Sequence, residues 1–329
     1  MCRPFLFQVR LLGYGIPVLL TWVAPVNVAR AESDTEPVPA YVASTQPDRI
    51  GRVMAPVYIN DRGPFAFVID TGASRSAISP RTAVQLGLKP DVERPLSLRG
   101  VTGQEVVPSL AVDSLRAGDI ELTRQRLPVV TPRIFADADG FLGIDGFAGM
   151  CLSVSFTEQR VRIHKGACAR ATPEWTVVTA KILPNGLVAI RTRIGDRRVR
   201  AIVDTGAERS LGNLALVRAL GLETEVRDPA TATSVYGATP QAVQGNLVAA
   251  PRIRVNDLEI ASLPVTFGDF EVFHLWNLVD EPAILLGMDV LGTVDGLMID
   301  YRRSEVRILP HNSAKTPRLR IDDLPTRLP

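Results

Sequence analysis

The sequence predicts a mainly β protein made of two similar β-barrel lobes in one chain. Three observations carry that prediction. One pattern of residues occurs twice along the chain. The 329 residues are enough for about two domains. Alternating, β-branched runs broken by Gly, Asp and Pro outnumber the helical patterns.

Taken in chain order, Arg3 and Arg10 precede an uncharged apolar stretch, Leu11 to Pro25, and Ala29-Arg30-Ala31 follows as a small-residue cleavage site. This is the layout of a secretory signal peptide, expected over 1–31. The stretch is shorter than a membrane span and is interrupted by Gly13, Gly15 and Pro17, so no stable membrane span is expected after cleavage. Residues 32–49 are polar and Pro-containing and read as a loose segment. The first lobe is expected over 50–165, with a strand at Val53 to Ile59, a break at Asp61-Arg62-Gly63 and a second strand at Phe65 to Ile69. A linker is expected at 166–176 and the second lobe at 177–310, where Arg191 to Val203 repeats the strand–turn–strand pattern around Gly195-Asp196. Short helices are expected at Pro80–Leu86 and Asn213–Leu220, stopped by Gly87 and Gly221. Residues 311–329 read as a tail in which Leu319 to Ile321 can form a further strand.

The repeat is specific. VIDTGASRSAISPRTAVQLGL (68–88) aligns without a gap on IVDTGAERSLGNLALVRALGL (202–222), an offset of 134. Val101-Thr102-Gly103 then matches Val235-Tyr236-Gly237, FLGID (141–145) matches LLGMD (285–289), and SFTEQRVRI (155–163) matches DYRRSEVRI (300–308). Four ordered landmarks within about 100 residues describe one small domain, present twice.

Composition narrows the chemistry. Lys+Arg number 37 against 35 Asp+Glu, a net charge of +2, which gives nucleic acid no electrostatic foothold. No CxxC, HExxH, GxSxG or P-loop pattern occurs, and no cofactor or metal is expected. The repeated Asp-Thr-Gly remains. Two apolar residues precede each Asp, so its carboxylate emerges from a core. The Gly two positions later permits a tight turn and a close backbone approach. The Thr between them carries a hydroxyl that can bond across to the other lobe. Two such loops face to face bring two carboxylates together, and like charges that close share a proton.

These landmarks resemble the retropepsin-like aspartic proteases of the pepsin clan. VIDTGAS and IVDTGAE resemble the active-site loop; GVTG (100–103) and SVYG (234–237) resemble the flap that closes over substrate; FLGID and LLGMD resemble the late element that packs behind the loop. The resemblance covers about 50–165 and 185–309. It implies two retropepsin-like lobes in a pepsin-like bilobed arrangement. It implies Asp70 and Asp204 as the catalytic dyad, Thr71, Gly72, Ala73, Thr205, Gly206 and Ala207 as the supporting loop, and Thr102, Gly103, Tyr236 and Gly237 in the flaps. The function expected is an exported aspartic endopeptidase acting through an activated water on a peptide or protein, periplasmic in a Gram-negative host and otherwise secreted. The alternative is a catalytically silent peptide-binding module. Tandem copies favour lobe pairing within one chain, hence a monomer.

Beside the dyad, Ala73 and Ala207 stand where pepsin-like enzymes carry a hydroxyl that bonds the ionised carboxylate, so a mildly acidic optimum is expected. The recurring Arg75, Arg209, Asp145 and Asp289 suggest two bracing ion pairs, Arg75–Asp145 and Arg209–Asp289, or four independent surface charges. Tyr236 either bonds near the dyad or packs on a neighbour. Phe273, Trp175 and Trp276 are expected in packing roles. His164 and His274 are expected to be structural. Cys151 and Cys168 form an even pair, either a disulfide or two buried thiols.

Overall fold

The computed structural model describes residues 42–44, 51–130, 135–260 and 263–311. The expected leader, the tail strand at 319–321 and most of the 32–49 segment lie outside the described residues. Within that segment Val42–Ser44 is a strand, paired antiparallel with Arg160–Lys165, where the sequence predicted loose chain.

Each lobe is built on the hairpin that ends in Asp. In the first, Met54–Ile59 pairs antiparallel with Arg62–Ile69. Asn60 and Asp61 form the two-residue turn, both at positive φ, which these side chains tolerate better than most. The break therefore falls one residue before the expected Asp-Arg-Gly. Arg62–Ile69 also pairs in parallel with Gly140–Leu142 on its other edge. Val68 and Ile69, fully buried, thus reach Asp70 from the interior of a sheet. The second lobe repeats this: Val188–Ile194 pairs with Arg197–Val203, which pairs in parallel with Ala283–Leu286 and ends in buried Ile202 and Val203 before Asp204.

The protein is mainly β with two sheet-rich lobes. Continuous strand pairing around a full barrel is not seen among the described residues. In the first, the sheet runs from Ala77–Ile78 through Gly140–Leu142, Arg62–Ile69, Met54–Ile59 and Gly103–Ala117 to Asp91–Gly100. Ile120–Pro128 pairs alongside Gly103–Ala117, and a single isolated bridge from Ile78 to Val129 spans the remaining gap.

The helices match their caps. Pro80–Gln85 starts at Ser79, whose side chain accepts from Thr82 N–H; Leu214–Leu220 starts at Asn213, whose side chain accepts from Leu216 N–H and ends at Gly221.

A third sheet joins the halves. Its order is Val42–Ser44, Arg160–Lys165, Met150–Ser155, Gly296–Asp300, Glu305–Leu309 and Thr176–Ile182. At its centre, Met150–Ser155 of the first half pairs antiparallel with Gly296–Asp300 of the second, Ser155 opposite Gly296 and Cys151 opposite Asp300. The matching segments 155–163 and 300–308 therefore contribute equivalent hairpins to one sheet, back to back. Thr176–Ile182 turns the corner, pairing with Glu305–Leu309 at one end and Val188–Ile194 at the other. The expected linker lies against this sheet. Cys168 is disulfide-bonded to Cys151, its N–H donates to the fully buried Asp300 at 2.8 Å, and Arg303 donates to its carbonyl at 2.9 Å. The disulfide, of the two readings left open, is the one that forms.

Candidate active site

The two Asp-Thr-Gly loops meet in a near two-fold arrangement. Thr71 Oγ1 donates to Val203 O at 2.7 Å, and Thr205 Oγ1 donates to Ile69 O at 2.6 Å. Thr205 N–H donates back to Thr71 Oγ1 at 3.0 Å, and Thr71 N–H to Thr205 Oγ1 at 3.3 Å. Both threonines are fully buried. Each hydroxyl thus bonds the backbone of the strand that delivers the opposite Asp, and the loops are locked in register across the lobe boundary.

The glycines let the carboxylates come close. A Cβ on Gly72 would stand within 2.6 Å of both carboxylate oxygens of Asp204, and one on Gly206 within 2.6 Å of both of those of Asp70. Any side chain there would displace the opposite acid. Each Asp also accepts from its own loop, Asp70 from Gly72 N–H at 2.9 Å and Asp204 from Gly206 N–H at 2.9 Å and Ala207 N–H at 3.1 Å.

These surroundings hold both acids above the ordinary carboxylate range. Burial is the largest cause for each. Asp204 is pushed well up, with the charge of Asp70 adding to burial. Asp70 is raised against the opposing pull of Gly72 N–H and of the Arg52 guanidinium. A carboxylate and a carboxylic acid in contact can divide general-base and general-acid work on one water.

Behind each loop a second matched set holds its shape. Ser76 Oγ donates to Asp145 at 2.7 Å, Ser76 N–H donates to the other oxygen at 3.0 Å, and Gly143 N–H donates to Ser76 Oγ at 3.1 Å. Ser210, Asp289 and Gly287 repeat this at 2.7, 2.9 and 3.1 Å. Asp70 N–H donates to Leu142 O and Asp204 N–H to Leu286 O, so the late Leu-Gly elements do pack behind the loops as expected. The expected bracing ion pairs do not form. Asp145 and Asp289 are satisfied by the serines, which lie inside, whereas Arg75 is exposed and Arg209 reaches toward Glu208 at 3.9 Å. The recurrence of Ser76 at 210 is the sequence signal for this arrangement.

The predicted flaps are hairpin tips, Asp91–Gly100 with Gly103–Ala117 and Ala232–Tyr236 with Ala242–Ala249. They touch each other. Thr102 and Thr239, both buried, share a hydrogen bond of 2.7 Å between their hydroxyls, and a Cβ on Gly237 would meet Thr102 Oγ1 at 2.8 Å. Gly103 begins the returning strand of the first hairpin. Tyr236 is 58% exposed. The first flap is further pinned to the second lobe, Glu271 N–H donating to Val101 O at 3.1 Å and Arg99 pairing with Glu271 at 3.2 Å. Thr239 and Glu271 carried no repeat signal. Phe273 and Trp276 pack edge to face in the second lobe, as expected of core aromatics, and His274 bonds Asp269 at 2.7 Å at the surface. No group of residues suited to hold a metal ion occurs among the described residues.

Two lobes, each delivering an Asp-Thr-Gly loop to one paired site, define an aspartic-protease architecture. A family model for aspartyl proteases matches the chain twice, over residues 55–146 and 190–290, and the chain belongs to that family. Comparison with curated proteins gives no match.

Proposed function

We propose that the protein is an exported, monomeric aspartic endopeptidase that hydrolyses peptide bonds with a water activated by Asp70 and Asp204. The carrying observation is the mutual fit of the loops, each glycine leaving room for the opposite carboxylate. In this reading the ionised acid takes a proton from a bound water, and the neutral acid polarises the scissile carbonyl. The water then attacks without a covalent enzyme intermediate. An extended peptide lies between the lobes beneath the flaps, paired as an added strand. Thr71 and Thr205 hold the acids in place; Thr102, Gly103, Tyr236 and Gly237 belong to the cover. Membership of the aspartyl protease family supports a peptidase in general, and the two matched loops support a dyad completed within one chain. Export is supported by the leader pattern of residues 1–31 and fits the Cys151–Cys168 disulfide, a bond typical of oxidising compartments.

The test is a digest of a mixed peptide library between about pH 3 and pH 8, read by mass spectrometry. Asp70→Ala and Asp204→Ala run beside the wild type. Cleavage by the wild type and by neither variant is the expected result. Cleavage surviving in one folded variant overturns the shared dyad. A folded wild type that binds peptides and cuts none transfers the protein to the silent peptide-binding reading.

A further inference from the structure

The two Asp-Thr-Gly loops match closely, but the strands beside them differ. In the first lobe Met54 is opposite Val68, and Ile69 N–H donates to Val53 O at 2.9 Å, so the register carried one step further sets Arg52 opposite Asp70. Directly opposed residues of an antiparallel pair project from the same face. Arg52 is only 3% exposed, and its guanidinium lies over the Phe141 ring at 5.2 Å. Phe141 pairs with Val68, so the same face carries Arg52, Val68, Asp70 and Phe141. In the second lobe Ala189 is opposite Ile202, and the same continuation sets Leu187 opposite Asp204, with Leu285 in the place of Phe141. Leu187 and Leu285 are fully buried. One acid thus has a buried cation across the strand pair and the other has a buried hydrocarbon.

We propose that Arg52 is a positioning residue that makes Asp70 the ionised member of the pair and leaves the shared proton on Asp204. Two identical acids sharing one proton have no preferred holder. A fixed positive charge on one side removes that degeneracy, because it favours the charged form of its nearer neighbour. The N–H donors favour the charged form of both acids, with one bond to Asp70 and two to Asp204, so the full charge of Arg52 works against the difference of one N–H bond. Asp70 is faced by Asp204, by Arg52, by the N–H groups of its own loop and by the charge-sensitive Tyr301 of the shared sheet, whose hydroxyl burial keeps neutral. Asp204 is faced by Asp70 and by the N–H groups of Gly206 and Ala207. Asp70, on the Arg52 side, then supplies the base toward water, and Asp204 supplies the acid. The inference deepens the protease reading and rests on it for this division of labour.

The experiment is a carbon-13 NMR titration of protein labelled at its aspartate carboxyls, with Asp70→Asn and Asp204→Asn to assign the two signals. It needs no turnover, so a protein that cuts nothing refutes the protease reading without touching this one. In the wild type the first macroscopic ionisation of the pair is expected at the Asp70 carboxyl. In Arg52→Leu, which copies Leu187, that step is expected to rise by about one pH unit or more, with Arg52→Lys restoring most of the shift. If the protein is active, the acidic limb of kcat/KM moves with it. Ionisation beginning at Asp204 in the wild type overturns the proposal, and so does an unchanged first step in folded Arg52→Leu. Should the leucine variant not fold, the order of ionisation in the wild type and in Arg52→Lys decides.

Discussion

Thr71 and Thr205 are bonded to each other's strands, Thr71 Oγ1 to Val203 O at 2.7 Å and Thr205 Oγ1 to Ile69 O at 2.6 Å. Replacing either by Val keeps the shape and leaves a buried carbonyl and N–H short of a partner. Each variant is expected to lose about 1–3 kcal/mol of stability, read by urea unfolding. Thr→Ser at the same positions retains the hydroxyl and is expected to lose less. Because the two residues share one network, the double Val variant is expected to cost less than the sum of the singles.

Stability should fall as pH rises from acid toward neutral through the pair's titration. Burial raises the acids Asp70, Asp204 and Asp289 in the folded protein. The native state therefore holds more protons than the unfolded chain above about pH 4, and their contribution is full below the unfolded pKa and lost above the folded one. Asp91, lowered despite some desolvation by its bond to Arg126, works in the opposite direction and is half-buried. Unfolding free energy measured in steps from about pH 4 to pH 7 is expected to decline in the wild type and to decline less in Asp204→Asn. An active enzyme should have its optimum in the mildly acidic range for the same reason.

The flap tips should open more readily once Thr239 loses its hydroxyl. Thr239→Val removes the 2.7 Å bond to Thr102 and leaves that buried hydroxyl unpaired. Amide exchange over residues 100–103 and 236–240 is expected to quicken by about tenfold, with little change in the shared sheet. The Arg99–Glu271 pair is part exposed, so raising salt alone should change flap exchange much less.

Removing the disulfide by Cys151→Ser with Cys168→Ser should cost about 3 kcal/mol, the scale for a closed loop of this size. The two cysteines are 17 residues apart in sequence. The expected outcome is a lower urea midpoint with the lobes still folded, and reduction of the wild type should reproduce it.

What the sequence revealed and what it hid divide along one line. Repeated backbone-shaping residues were readable: Gly72 and Gly206 each mark a close approach, and the apolar pairs before Asp70 and Asp204 mark a buried strand end. Partner choice was not. The opposite charges of Arg75 and Asp145 suggested a pair, but an exposed arginine gains little from such a bond, and the carboxylate turned to the inward-facing Ser76. How the two-residue strand Ala77–Ile78 meets Val129 was not readable either, because that bridge joins residues far apart in the chain. Arg52 was not legible because its place beside Asp70 comes from strand register, and it has no counterpart in the repeat.

The pairing of Met150–Ser155 with Gly296–Asp300 joins equivalent strands from two halves of a single polypeptide. A dimer of identical subunits arranged in this way would have to carry the same residue on both sides of its axis. Covalent continuity lifts that constraint. Each half of this chain is free to mutate alone, so a buried arginine stands beside one acid and a leucine beside the other, and one flap has threonine where its twin has tyrosine. The fused chain keeps the geometry of a symmetric assembly while its two halves are free to specialise.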